Sequence, residues 1–280
     1  MSCRASRSLA LVIGSGGVRA ASALGVAEVL HGEGLAPSCI VGCSAGALFG
    51  ALLATGRPVH EAVHTATALW TQELTRRRRW RAPAQMMMPR LLGFDASFAL
   101  RDDAPVLERL HAAFGTLRFE DLPVPLRVTA TCAESGGTIV LDQGRLVDAL
   151  RASIALPFMF APQQLAGRRL VDGVVSDPLP VSAAIDAGAI LAVGAPAPLP
   201  RRIDGPSRML SQLVSTMSNN LLNARLCAAR ASGPPLMVLS PEPSRRVGLF
   251  DTAALPELVE TGRREARARL PEILALVGRC

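Results

Sequence analysis

Short apolar or β-branched runs recur at Leu9–Ile13, Cys39–Val41, Leu126–Thr131, Ile139–Leu141, Leu170–Val171, Ile190–Val193 and Leu236–Leu239. Runs of this length, with little polar alternation, fit strands buried on both faces. Between most of them lie helix-like stretches, at Arg19–His31, Ala45–Thr55, His60–Thr75, Ala104–Phe114, Val147–Ser153, Val181–Ala187 and Ser207–Ala231. Strand and helix alternate, which predicts an α/β domain with a mainly parallel sheet covered on both faces. Gly14–Gly17, Gly136–Gly137 and Gly233–Pro235 punctuate turns, and Pro196–Pro206 reads as a loose surface segment. No shift in composition divides the chain and no repeat is visible. Residues 1–280 therefore read as a single domain, with residues 76–101 as a candidate cap or lid over one edge.

Composition narrows the class. Of the 280 residues, 49% are apolar and 19% charged, too apolar for a disordered chain. The apolar stretches Ala45–Ala54 and Ala187–Pro200 are cut by Gly and Pro short of the roughly 20 residues a spanning helix needs. After Arg4 and Arg7 the apolar run is only Leu9–Ile13, short of a secretory core of about 7–15 residues, so a cytoplasmic location is expected. The six cysteines are scattered, with no C-x-x-C pair and no Cys/His cluster, so neither a disulfide framework nor a metal site is expected. The net charge is +7, and every basic residue is Arg. Six of those arginines (Arg76, Arg77, Arg78, Arg79, Arg81 and Arg90) fall in one stretch without an acidic residue, beside Trp80 and Met86–Met88. With few aromatics and no stacking motif the chain does not read as a nucleic-acid binder; the basic stretch suits peripheral contact with an anionic membrane, or a solvated loop.

Gly42-Cys43-Ser44-Ala45-Gly46 is a G-x-S-x-G pattern between a predicted strand and a predicted helix. In that context the glycines allow a sharp turn that presents Ser44 as a nucleophile, and the helix dipole favours an oxyanion beside it. A serine hydroxyl needs a base. The four histidines, His31, His60, His64 and His111, all lie in helix-like stretches and none follows residue 111, so the usual late histidine is missing. Either Ser44 is not a nucleophile or its base is not an imidazole. A carboxylate is available at Asp172, where the run Leu170–Val171 ends and Gly173 begins a turn, although turn initiation alone would explain an Asp there. The loop Gly14-Ser15-Gly16-Gly17-Val18-Arg19 follows the first strand; Arg19 stands where a dinucleotide fingerprint needs its last glycine, so a nucleotide-binding reading fails. Successive N–H groups in such a loop can instead hold a developing oxyanion, and Arg19 adds positive potential for substrate, or pairs a sheet-edge carboxylate.

Together the glycine-rich loop at 14–20, Gly42–Gly46 and Asp172-Gly173, in this order, resemble the patatin-like phospholipase family. The resemblance extends through Arg151–Pro157, Val171–Pro180 and Ala187–Ala189, which look like its small bacterial branch, and covers residues 8–195. It implies a three-layer α/β/α fold and a Ser-Asp dyad, with Ser44 as nucleophile and Asp172 as base. It also implies that the N–H groups of Gly16, Gly17 and Val18 are the oxyanion donors, and that no metal or organic cofactor takes part. The implied activity is hydrolysis of lipid acyl esters; a thioesterase, an acyltransferase or a lipid-binding module without catalysis would use the same residues or their remnant. Ser15, Ala20 and Val174 depart from the family pattern, and Val174 is expected to narrow the pocket near the base.

Overall fold

The computed structural model describes residues 7–69 and 79–278. Eight strands form one sheet: β1 (Leu9–Ile13), β2 (Cys39–Cys43), β3 (Leu126–Cys132), β4 (Thr138–Leu141), β5 (Gln163–Leu165), β6 (Arg168–Asp172), β7 (Ala189–Val193) and β8 (Leu236–Leu239). The order is β5-β6-β3-β2-β1-β7-β8, with β4 also paired to β3. The sheet is mixed: β8, β7, β1, β2 and β3 are parallel, and β4, β5 and β6 join antiparallel. All the strands read from the pattern are present; β5, short and polar, lacks the apolar run that would reveal it.

Helices α1 (Ser22–Gly32), α2 (Ala45–Ala54), α3 (Val59–Leu69), α4 (Ala82–Met87), α5 (Ala104–Phe114), α6 (Leu146–Ser153), α7 (Pro206–Ser232), α8 (Leu255–Ala268) and α9 (Leu270–Leu276) surround it. The stretch expected to be helical at Val181–Ala187 forms only a 3-10 turn at Val181–Ala184, since Pro178 and Pro180 precede it and Gly188 follows. The last part of the helix expected at His60–Thr75 lies outside the described residues.

Strand periodicity decides which helices cover which face. In β1, Leu9, Leu11 and Ile13 pack into one cluster with Leu24, Leu48, Phe49 and Leu258 from α1, α2 and α8. Ala10 and Val12 point the other way, into a cluster with Val181, Leu222 and Leu226. β7 divides in the same manner, so the sheet is sandwiched between a thick helical layer and a thin one built on α7. Each fully buried Leu or Ile contributes about 1.5–3 kcal/mol, and the thick layer holds most of them. Among the described residues, no helix is long and apolar enough to cross a membrane.

Candidate active site

β2 delivers the Gly42–Gly46 turn at its carboxyl end. Ser44 is one of three described non-glycine residues with positive φ, at 56°, with ψ −127°. The flanking glycines are required by close approach. A Cβ on Gly42 would sit 2.4 Å from the Ala47 Cα, and one on Gly46 would sit 2.4 Å from the Gly14 carbonyl oxygen. The second contact also presses the start of α2 against the end of β1, bringing the glycine-rich loop beside Ser44. A serine at this position ordinarily caps its helix. Ser44 makes no such bond; its Oγ donates instead to Asp172 Oδ2 at 2.7 Å.

That meeting comes from strand pairing. β3 carries β4 along one edge from Val128 to Thr131. On its other edge β2 pairs as far as Cys43↔Thr129, and β6 takes over from Asp172↔Ala130. β2 runs parallel to β3 and β6 antiparallel, so their carboxyl ends meet head to head. Asp172 is the last residue of β6, and Ser44 follows the last residue of β2.

The aspartate is fixed from every side. Its Oδ1 accepts from the Val174 N–H at 2.9 Å, its own N–H donates to Ala155 O at 2.9 Å, and its carbonyl accepts from Thr131 Oγ1 at 2.9 Å. With 2% of its surface exposed, burial pushes its pKa up to about 7, against the opposing pull of the Val174 N–H and the Ser44 hydroxyl. A carboxylate so placed is a far better base near neutral pH than a free aspartate, whose pKa is about 3.9. Burial also keeps the Cys43 thiol neutral beneath it.

Ser153, which sequence reasoning gave no role, holds the elbow. Its Oγ accepts from the Ser44 N–H at 2.8 Å and donates to Thr129 O at 2.7 Å. Its one signal in the sequence is its place within Arg151–Pro157. Arg151 of the same helix is buried, pairs with Asp103 and donates to Ala161 O, tying α6 to the loop that precedes β5. The four histidines are all exposed, on α1, α3 and α5, and none approaches this centre.

The glycine-rich loop corrects one expectation. Gly14 N–H donates to Val193 O, Ser15 N–H to Pro178 O, and Val18 N–H to Leu249 O at 2.9 Å. Val18 is therefore not a free oxyanion donor: a carbonyl from the 244–251 segment already occupies its N–H. That segment is itself held to α8, through Ser244 and Arg245 on Glu257, and is braced internally by Arg245 on Asp251. Among the described residues, the Gly16 and Gly17 N–H groups meet no backbone carbonyl, at φ of 141° and 62°. Arg19 projects from the 3-10 turn Gly17–Ala21, and its Nη1 lies 3.5 Å from Pro196 O. Burial without a carboxylate partner lowers its pKa. It lines a cleft of about 760 Å³ with Gly14, Ser15, Ala197, Arg201 and Arg246; neither Ser44 nor Asp172 reaches that cleft. No cluster of His, Cys, Asp or Glu suited to a metal ion occurs among the described residues.

A family model described as patatin-like phospholipase matches residues 11–185, well over half of the chain and all of this centre. The chain belongs to the patatin-like phospholipase family. An uncharacterized NTE family protein of Mycobacterium tuberculosis is 34% identical over 187 residues, which is 66% of this chain and 48% of that protein. Neuropathy target esterase sws of Drosophila melanogaster is 26% identical over 184 residues, 65% of this chain and 12% of that protein. This chain therefore spans about half the length of the mycobacterial relative and a small part of the fly one. Among solved structures, VipD from Legionella pneumophila is similar with a TM-score of 0.47 at 13% identity, over 95% of this chain and 67% of that one.

Proposed function

We propose that this patatin-like chain is a serine hydrolase of lipid acyl esters that works through a Ser44–Asp172 dyad. The observation that carries the reading is the 2.7 Å bond from Ser44 Oγ to an otherwise buried carboxylate with a pKa raised to about 7. Ser44 Oγ attacks the ester carbonyl carbon while its proton passes to Asp172 Oδ2. The oxyanion is received by the Gly16 and Gly17 N–H groups, helped by the amino end of α2. Collapse expels the alcohol, which takes the proton from Asp172 and leaves an acyl-Ser44 ester. Water then gives a proton to Asp172, attacks that ester, and the proton returns to Ser44 as the acid departs. A thioester substrate, or an acceptor other than water, would use the same atoms, and no feature of the centre favours either.

Arg19 is proposed to attract an anionic part of the substrate. Residues 76–101 are proposed as the cap: within the described part, Leu100 N–H donates to Phe158 O and Arg101 N–H to Met159 O, docking it on the loop that follows Ala155. Within it Trp80 and Met87 are more than four-fifths exposed, and Arg81 lies over the Trp80 ring at 4.8 Å, which suits peripheral contact with an anionic membrane. Arg76, Arg77 and Arg78 of the same basic stretch lie outside the described residues.

Labelling with a fluorophosphonate tests the dyad directly. A single adduct mapped to Ser44, and absent in Asp172→Asn, is expected; labelling at another serine, or none with the chain folded, would overturn the assignment.

A further inference from the structure

Helix α7 is amphipathic in two opposite senses. In its second half Leu222 and Leu226 face the sheet, in the usual way. In its first half the side turned toward the body is polar: Gln212, Ser215, Ser218 and Asn219 are half-buried. Met209, Leu210, Leu213, Val214 and Met217 are 56–63% exposed. At about 3.6 residues per turn these five form one stripe, on the side away from Leu222 and Leu226. A helix so arranged gains nothing from its apolar face within its own chain.

Its place in the fold is fixed. Asn219 Nδ2 donates to Ala197 O at 3.0 Å, and Ala197 N–H to Asn219 Oδ1 at 2.7 Å, just beyond the carboxyl end of β7. Arg225 Nη2 reaches Ser176 O at 3.3 Å, four residues past Asp172. The turns before Asn219 thus project beyond the sheet on the end that carries Ser44, over about 20 Å at 1.5 Å per residue. The helix and its lead-in segment carry net positive charge. No acidic residue occurs in the 27 of α7, Arg201 and Arg202 precede it, and Asp204 is neutralised by Arg208 at 2.9 Å. Leu199 and Ile203, in the lead-in segment, are exposed as well.

We infer that the first half of α7 is a docking surface for an anionic lipid bilayer, its apolar stripe seated among the acyl chains at the headgroup boundary and its arginines on the headgroups. An exposed apolar face on a helix without acidic residues, led in by the exposed Arg201 and Arg202, matches a bilayer carrying negative charge, whereas two copies would bring segments of like charge together. The inference rests on the lipid-ester reading above, and vesicle binding and soluble-ester turnover separate the two.

Co-sedimentation with vesicles of phosphatidylcholine alone, and of phosphatidylcholine mixed with phosphatidylglycerol, is the test, on wild type and on Leu213→Asn with Met217→Asn. Wild type should bind the mixed vesicles, and bind them less at high salt; the double variant should lose about tenfold or more in partition while turning over a short soluble ester as wild type does. Arg201→Gln with Arg202→Gln should weaken binding to mixed vesicles only, and decides the matter if the first variant unfolds. Wild type that ignores anionic vesicles overturns the inference, as do variants that bind like wild type. So does a stripe variant that turns a dimer into a monomer by light scattering with vesicle binding unchanged. Loss of short-ester turnover in unaltered chain would instead fall on the dyad.

Discussion

The turns at Gly14–Val18 and Gly42–Gly46 leave neighbouring parallel strands in register, Ile13 opposite Gly42, and each leads into a helical turn. They are built alike and constrained differently. At Ser44 every flanking group is engaged: its N–H by Ser153, its Oγ by Asp172, and its neighbour Gly46 by the end of β1. At Gly16 and Gly17 the backbone N–H groups meet no carbonyl among the described residues, and the next one, on Val18, is covered by Leu249 from a distant segment. A serine held at positive φ persists only where its surroundings over-determine it. Under the proposed mechanism, donors for a transient oxyanion must be left unfilled until the reaction supplies a partner.

Substitutions at the two turns should therefore differ in kind. Ser44→Ala is expected to abolish ester turnover with the fold intact, since it removes one oxygen from a site that tolerates small residues. Asp172→Asn is expected to lower turnover by about 10²–10⁴-fold, while replacing all four exposed histidines leaves it measurable. Steady-state rates on a short acyl ester check all three, and a histidine variant as inactive as Ser44→Ala would break the dyad. In wild type, kcat/KM should rise with pH through about 7, as Asp172 loses its proton, and level off above.

Stability gives the next largest effect. Unfolded Asp172 would titrate near 3.8 and the folded residue near 7, so between these values the folded chain holds the extra proton and stability falls as pH rises. The destabilisation is complete by about pH 8 and amounts to several kcal/mol. Asp172→Asn carries no such proton and should melt above wild type at pH 8, with the gap closing toward pH 4. A gap independent of pH, in melts across that range, would show that burial does not set the aspartate's titration.

The smallest effect separates the turns themselves. Gly46→Ala drives a Cβ against the Gly14 carbonyl and should cost about 1–3 kcal/mol, with a loss of turnover as the two turns part. Gly248→Ala, within the 244–251 segment that covers Val18, meets nothing within 4 Å and should change stability by less than about 0.5 kcal/mol. Denaturant melts of both variants measure the contrast; equal losses would mean that the Gly46 approach does not hold the turns together.

By itself the sequence determined the strands and most of the helices, and it singled out Ser44 and Asp172 as candidates. Buried parallel strands must be continuous apolar runs, and the tight turns at 14–17 and 42–46 need glycine, so both leave marks in the order of residues. Only tertiary structure decided what those groups meet. That Asp172 reaches Ser44 follows from β2 and β6 sharing one edge of β3, a pairing between segments 128 residues apart that no local pattern encodes. The same holds for Ser153 beneath the elbow and for Leu249 on the Val18 N–H: each is one hydrogen bond from a distant residue. The stripe on α7 is legible as periodicity, but its outward direction is not. An apolar face reads as core until the fold shows which side of the helix the sheet has taken.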